Sequence, residues 1–175
     1  MEIKVGNKRW VIVIGNWIVV KLPKIHLLTA LRVFWRIITE GRPFLHFRKY
    51  DYTMSGAIQN FLLAGLVENW KEFVYWKKFH FNWLAPTYLS LYGFVNFQKA
   101  GEEMSLEKDG VFWCQISECF GNEVYKGDEH VFAEDKNYVL IDDKVCLVDY
   151  GNFRNRTFFV ENEKQLREFE FNLPE

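Results

Sequence analysis

Apolar and polar positions along the chain fall into short blocks whose spacing predicts the elements. Residues 8–14 (KRWVIVI) and 17–22 (WIVVKL) are dense in β-branched and aromatic side chains. Between them, Gly15-Asn16 suits a tight hairpin turn needing positive φ, and Pro23 ends the second strand. Residues 25–38 (IHLLTALRVFWRII) place apolar side chains at helical spacing, with Gly41 and Pro43 behind them as stop signals. Residues 44–54 are mixed and predict no element. Ser55 suits the cap of a long helix over residues 56–79, where Ile58, Phe61, Leu62, Val67 and Trp70 are spaced for burial. LAPTYLSLYG (84–93) and FVNFQKAG (94–101) predict two further strands. Residues 105–120 predict a helix, broken at Asp109-Gly110, with Phe112, Ile116 and Cys119 or Phe120 on one face. Residues 137–141 and 144–148 predict a hairpin around Asp142-Asp143, and the amphipathic tail QLREFEF fits a helix or a closing strand. The order of hairpin, helix, long helix, hairpin, helix, hairpin predicts an α+β fold: a small antiparallel sheet with helices packed on it.

Length and composition narrow the classes. A chain of 175 residues suits one domain, or two small lobes sharing a cleft. Apolar residues make up 49% and aromatics 18%, enough for a packed core and against global disorder. Lys+Arg number 22 against 23 Asp+Glu, so no basic field points to nucleic acid and no polybasic tail to an anionic membrane. Charges interrupt the N-terminal apolar run and no small-residue cleavage site follows, so a signal peptide is not expected. The apolar stretches fall short of a bilayer span, and the expected compartment is the cytoplasm. Cys114, Cys119 and Cys146 lack CxxC spacing and read as small buried hydrophobes in a reducing environment. His26, His46, His80 and His130 share no metal-ligand spacing.

The chemistry concentrates around KVCLVDYGN (144–152). Val145, Leu147 and Val148 predict a buried strand with Asp149 at its exit, followed by a turn at Gly151. A carboxylate there can hold a hard cation such as Mg²⁺, which needs oxygen ligands. Asn137 starts the facing strand of the same hairpin, which brings its amide near Asp149. Upstream lies GDEH, with Asp128 and His130.

Taken in order, these segments resemble the protein-kinase-like superfamily, especially its small bacterial and viral members. In that superfamily a strand lysine contacts nucleotide phosphates and pairs with a helix glutamate; a catalytic-loop aspartate and asparagine follow, then a metal-binding Asp-Phe-Gly. WIVVKLP resembles the lysine strand, with Lys21 as the lysine. AIQNFLLAGLVENWKEFVYW resembles the glutamate helix, with Glu72 the better candidate and Glu68 the second. LAPTYLSLYGFVNFQKAG resembles the next two strands and the hinge, where backbone groups of Phe97 to Lys99 would meet adenine. DEHVFAEDKNYVLIDDKVCLVDYG resembles the catalytic loop and metal hairpin. The resemblance implies a kinase-like N-lobe over residues 1–101 and a minimal C-lobe over 102–175. It also implies a five-stranded sheet with Lys21 facing Asp149, ATP and Mg²⁺ as cofactors, and Asn137 and Asp149 as metal ligands.

The departures bear on activity. The first hairpin has no GxGxxG, only Gly6 ahead of it. His130 to Asn137 has HRDxxxxN spacing, yet Phe132 then stands at the aspartate position, and a phenyl ring accepts no proton. Alternatively, Asp128-Glu129-His130 resembles the Asp-x-His of small-molecule phosphotransferases, with Asp128 as base and Glu134 or Asp135 as substitutes. Residues 152–175 leave no room for a full C-lobe. Two expectations follow: a nucleotide-binding phosphotransferase acting on a small molecule or flexible segment, or an inactive kinase-like module that binds a protein partner. An unrelated α+β binding domain is the third. Taken singly, Lys21 also fits an edge-strand lysine reaching solvent, and Glu72 a surface helix carboxylate.

Overall fold

The computed structural model describes residues 1–6, 8–25, 27–39, 63–104, 110–152 and 154–173. Within them the chain is α+β, built on two small antiparallel sheets. The first contains β1 (Glu2–Val5), β2 (Arg9–Ile14), β3 (Ile18–Pro23), β4 (Thr87–Ser90) and β5 (Asn96–Lys99). Its strand order is β1-β2-β3-β5-β4. β3 is therefore an interior strand, and Lys21, paired with Val11 on one side and Asn96 on the other, is no edge lysine. The sequence pattern missed β1, whose alternating charges hide a strand that zips onto β2 with Val5 opposite Trp10.

The second sheet orders β6 (Glu102–Glu103), β7 (Tyr138–Ile141) and β8 (Lys144–Leu147). The β7–β8 turn places Asp142 and Asp143 at φ 50° and 60°, the left-handed values that a two-residue hairpin needs. The sheets meet where Leu147 N–H donates to Trp83 O (2.8 Å) and Ala85 N–H to Leu147 O (3.0 Å).

The helices are α1 (Leu27–Thr39), α2 (Ala64–Phe79), α3 (Val111–Phe120), α4 (Glu129–Ala133), α5 (Asn155–Glu161) and α6 (Glu163–Glu168). The tail thus resolves as helix over residues 165–168. Ser55, Ile58, Phe61 and Leu62 lie outside the described residues, as do His26 and His46. In α2 the expected stripe does not hold. Trp70 is 39% exposed and Val67 half-buried, whereas Gly65, Glu68, Asn69, Glu72, Tyr75 and Phe79 are buried. The helix turns a largely polar stripe inward because cations from the first sheet wait there. α3 buries Phe112, Ile116 and Phe120, as its spacing predicts. Cys114 and Cys119 are exposed on that helix, and only Cys146 is buried, which corrects the expectation for two of the three thiols.

The core sits around the second sheet. Phe79, Phe81, Trp83, Phe112, Ile116, Phe132, Phe158 and Phe159 are among its fully buried side chains. Phe81 and Trp83 stack with centroids 5.5 Å apart, and Trp83 Nε1 donates to Leu166 O at 3.0 Å. Among the described residues, no helix is long and apolar enough to cross a membrane.

Candidate functional site

Three elements converge beside the first sheet: the polar stripe of α2, one face of the β2–β3 hairpin, and the segment leaving β8. Arg9, Val11 and Val13 alternate along β2, and their partners Pro23, Lys21 and Val19 share their face. Two glycines allow close approach. A Cβ on Gly65 would lie 2.3 Å from Lys8 O, and one on Gly151 would lie 2.1 Å from Glu68 O. Any side chain there would push α2 off the sheet or off the Asp149 segment.

Lys21 Nζ donates to Glu72 Oε2 (2.9 Å) and Oε1 (3.1 Å), and to Val148 O at 2.5 Å. The pair is deep: Lys21 is 4% exposed and Glu72 0%. Lys8 Nζ donates to Glu68 Oε1 at 2.7 Å. Arg9 completes the cluster. Its Nη1 donates to Glu72 Oε1 (2.5 Å) and to Asn69 Oδ1 (3.3 Å), and its Nη2 to Asp149 Oδ1. Asn69 Nδ2 in turn donates to Gly93 O at 2.9 Å, tying α2 to the β4–β5 connection. A buried charge is tolerated only when paired and hydrogen-bonded, and here each carboxylate of the stripe finds a cation from β2 or β3 or from the turn before β2.

Electrostatics follow from this packing. Burial lowers the Lys21 ammonium from its ordinary value, against the pull of Glu72. Burial also presses both ends of the Lys8–Glu68 pair toward neutrality: Lys8 falls to about 8, and Glu68 rises to about 9 with Asp149 and Glu72 adding to the effect. Burial acts against the charged form of Arg9, and the enclosing cleft acts against that of Asp149 although its side chain keeps 43% exposure, but their mutual attraction outweighs both. Arg9 is held above its ordinary value with help from Glu72, and Asp149 below its own with help from Lys21.

A cleft of about 1230 Å³ is lined by Asp128, His130, Asn137 and Asp149 together with Lys21 and Arg9. Val11, Val13, Val19, Val139 and Val148 give the same cleft an apolar lining. Asp128 caps α4 by accepting the N–H of His130 at 3.2 Å, and its other oxygen accepts Asn152 Nδ2. Its own backbone N–H donates to Asn155 Oδ1 at 2.8 Å. The His130 residue is exposed. Asn137 Nδ2 donates to Val131 O at 3.1 Å, and Asn137 O accepts Val148 N–H at 2.8 Å, which locks this residue beside the Asp149 segment. Phe132 is buried in the core, its ring centroid 5.6 Å from that of Phe158. Glu134 lines the cleft and pairs with Lys136, whereas Asp135 turns away to accept Gly110 N–H at 2.6 Å.

The backbone of the predicted hinge, Phe97 to Lys99, forms β5, which is paired with β3 on one edge and β4 on the other, with Lys99 N–H donating to Pro86 O at 2.8 Å, so these groups are not open to an adenine. Lys99 lies at the cleft rim and pairs with Asp142, while Phe97 is not among the residues that line the cleft. Phe97 pairs with Val20, so it faces the side of the sheet opposite Lys21 and Gln98. Arg9, Lys8, Asn69, Asn152 and Asn155 were missed by sequence reasoning. For Arg9 the signal was present: period-two alternation puts it on the face of Val11 and Lys21.

Among the described residues no group of three His, Cys, Asp or Glu side chains is placed to hold a metal. Asn137 and Asp149 line one cleft, but the Arg9 guanidinium already takes Asp149 Oδ1. With Arg9 in that position the pair does not fit a divalent cation. No protein-family model, no curated protein and no solved structure matches the chain significantly.

Proposed function

We propose that this chain is a kinase-like nucleotide-binding protein whose cleft receives the base and phosphates of ATP, and which acts through that binding without transferring phosphate. The observation that carries the reading is the buried Lys21–Glu72 pair on the cleft wall, bonded onward to the backbone beside Asp149. A buried ion pair contributes little to stability against an apolar replacement, so its cost points to a role in the cleft. The five-stranded sheet that presents Lys21 toward the Asp149 segment is the arrangement the kinase resemblance implies. The valine-lined part of the cleft suits a flat base, and Lys21 and Lys8 suit phosphate oxygens. Against transfer, Asp128 is engaged as a helix cap and by Asn152, and Phe132 is packed in the core.

Thermal unfolding with increasing ATP tests this, because a ligand of the folded state raises stability by mass action. ATP is expected to raise Tm with dose, and Lys21→Met to weaken binding by about tenfold or more, some 1.4 kcal/mol. ADP release should stay at background. No Tm shift at saturating ATP defeats the reading. ADP release that Asp128→Ala abolishes would show that the protein passes the terminal phosphoryl group of ATP to water, and would defeat the binding-only reading.

A further inference from the structure

We infer that Arg9 stands in for the metal of this cleft, so that the protein binds nucleotide phosphates directly, without a divalent cation. The inference rests on the nucleotide-binding reading above and deepens it. Asp149 is the carboxylate on which a phosphate-bridging cation would depend, and it is 43% exposed on its side chain, facing the cleft. Its Oδ1 is held by Arg9 Nη2. A dication on the same carboxylate would lie against a fixed positive charge. Arginine cannot relieve that repulsion by losing a proton.

The guanidinium is also not free to swing aside without loss. Nη1 is anchored on Glu72 at 2.5 Å and on Asn69 at 3.3 Å, Nε lies 4.0 Å from Glu68 Oε2, and the residue is 6% exposed. Leaving would strand Glu72 with Lys21 alone and Asp149 with no hydrogen-bonded cation. Within the cluster each carboxylate already meets a cation: Glu68 meets Lys8, Glu72 meets Arg9 and Lys21, and Asp149 meets Arg9.

The same geometry suits a bare polyphosphate. Arg9 and Lys21 both line the cleft. Nη2 carries two hydrogens and among the described residues meets one acceptor, Asp149, which leaves an N–H for a phosphate oxygen. A planar guanidinium is well matched to phosphate, and Lys21 supplies a second point charge. Arg9 follows directly on the β1–β2 turn, so the strand that would cover the phosphates carries its own counter-cation.

The test is calorimetric titration of the whole protein with ATP, once in EDTA and once with Mg²⁺, joined by Mn²⁺ paramagnetic resonance without nucleotide. Wild type is expected to bind ATP at least as tightly in EDTA as with Mg²⁺, which competes for the phosphates, and to leave the Mn²⁺ spectrum that of the free ion. Arg9→Ala should lose tenfold or more of its affinity in EDTA, about 1.4 kcal/mol, and recover part of it with Mg²⁺. Arg9→Lys keeps the charge with a single point of contact and should fall between. ATP bound with Mg²⁺ but not in EDTA overturns the inference and leaves nucleotide binding standing. Binding in neither buffer overturns both. Unchanged EDTA affinity in Arg9→Ala overturns the role of Arg9. The wild-type comparison decides the matter even if the alanine variant does not fold.

Discussion

Glu72 serves two cations at once. Its carboxylate accepts from Lys21 and Arg9 in a position with no exposure, so it is the anchor on which both depend. Glu72→Ala would leave two buried cations short of a partner, and removing one side of a buried pair costs about 3–5 kcal/mol. Urea denaturation should show a loss of that size. Lys21→Met should cost less, because Glu72 keeps Arg9. Equal losses from both changes would mean that the two cations do not share the carboxylate. The outcome separates a cluster from a simple pair.

At the scale of the element, α2 is unusual in burying carboxylates along its middle turns while its apolar end, Tyr75 and Phe79, enters the core. Glu68 reports on that stripe. Its carboxyl is raised from 4.5 to about 9, chiefly by burial. A group raised on folding contributes stability that is present below its unfolded value and is lost as pH rises through the folded one. The protein should therefore lose stability between about pH 5 and 9. Lys8, lowered from 10.5 to about 8, works the other way only above pH 8. Glu68→Gln should flatten the decline of Tm between pH 5 and 8 relative to wild type. A decline of unchanged slope would show that Glu68 titrates normally.

At the scale of the molecule, the core and the site are coupled through α2 and the chain around β8. Phe159 contacts the rings of Tyr75, Phe79, Phe81 and Trp83, with centroids 5.6, 5.6, 5.5 and 5.8 Å away. Two of those partners lie on the helix that carries Glu72. Phe159→Ala should cost about 3–5 kcal/mol by cavity formation, read as a fall in the urea midpoint. Trp17→Ser, at a residue 71% exposed, should stay within about 0.5 kcal/mol. A Phe159→Ala loss no larger than that of Trp17→Ser would mean that the aromatic cluster does not hold the fold together.

The sequence by itself determined the α+β class, the β2–β3 and β7–β8 hairpins, the buried face of α3 and the places of Lys21, Glu72 and Asp149 in order along the chain. Those follow from local rules: period-two and period-3.6 burial, and turn residues that tolerate positive φ. Only the tertiary structure decided that α2 turns Glu68, Asn69 and Glu72 inward instead of Val67 and Trp70, and that Arg9 sits between Glu72 and Asp149. A stripe of polar residues reads as a solvated face until cations from elsewhere make its burial tolerable. The partners here are 63 and 140 residues away from Arg9, beyond the reach of any local pattern. The exposed Cys114 and Cys119 have the same origin: a small apolar residue can be placed on either side of a helix, and the packing of its neighbours chooses which.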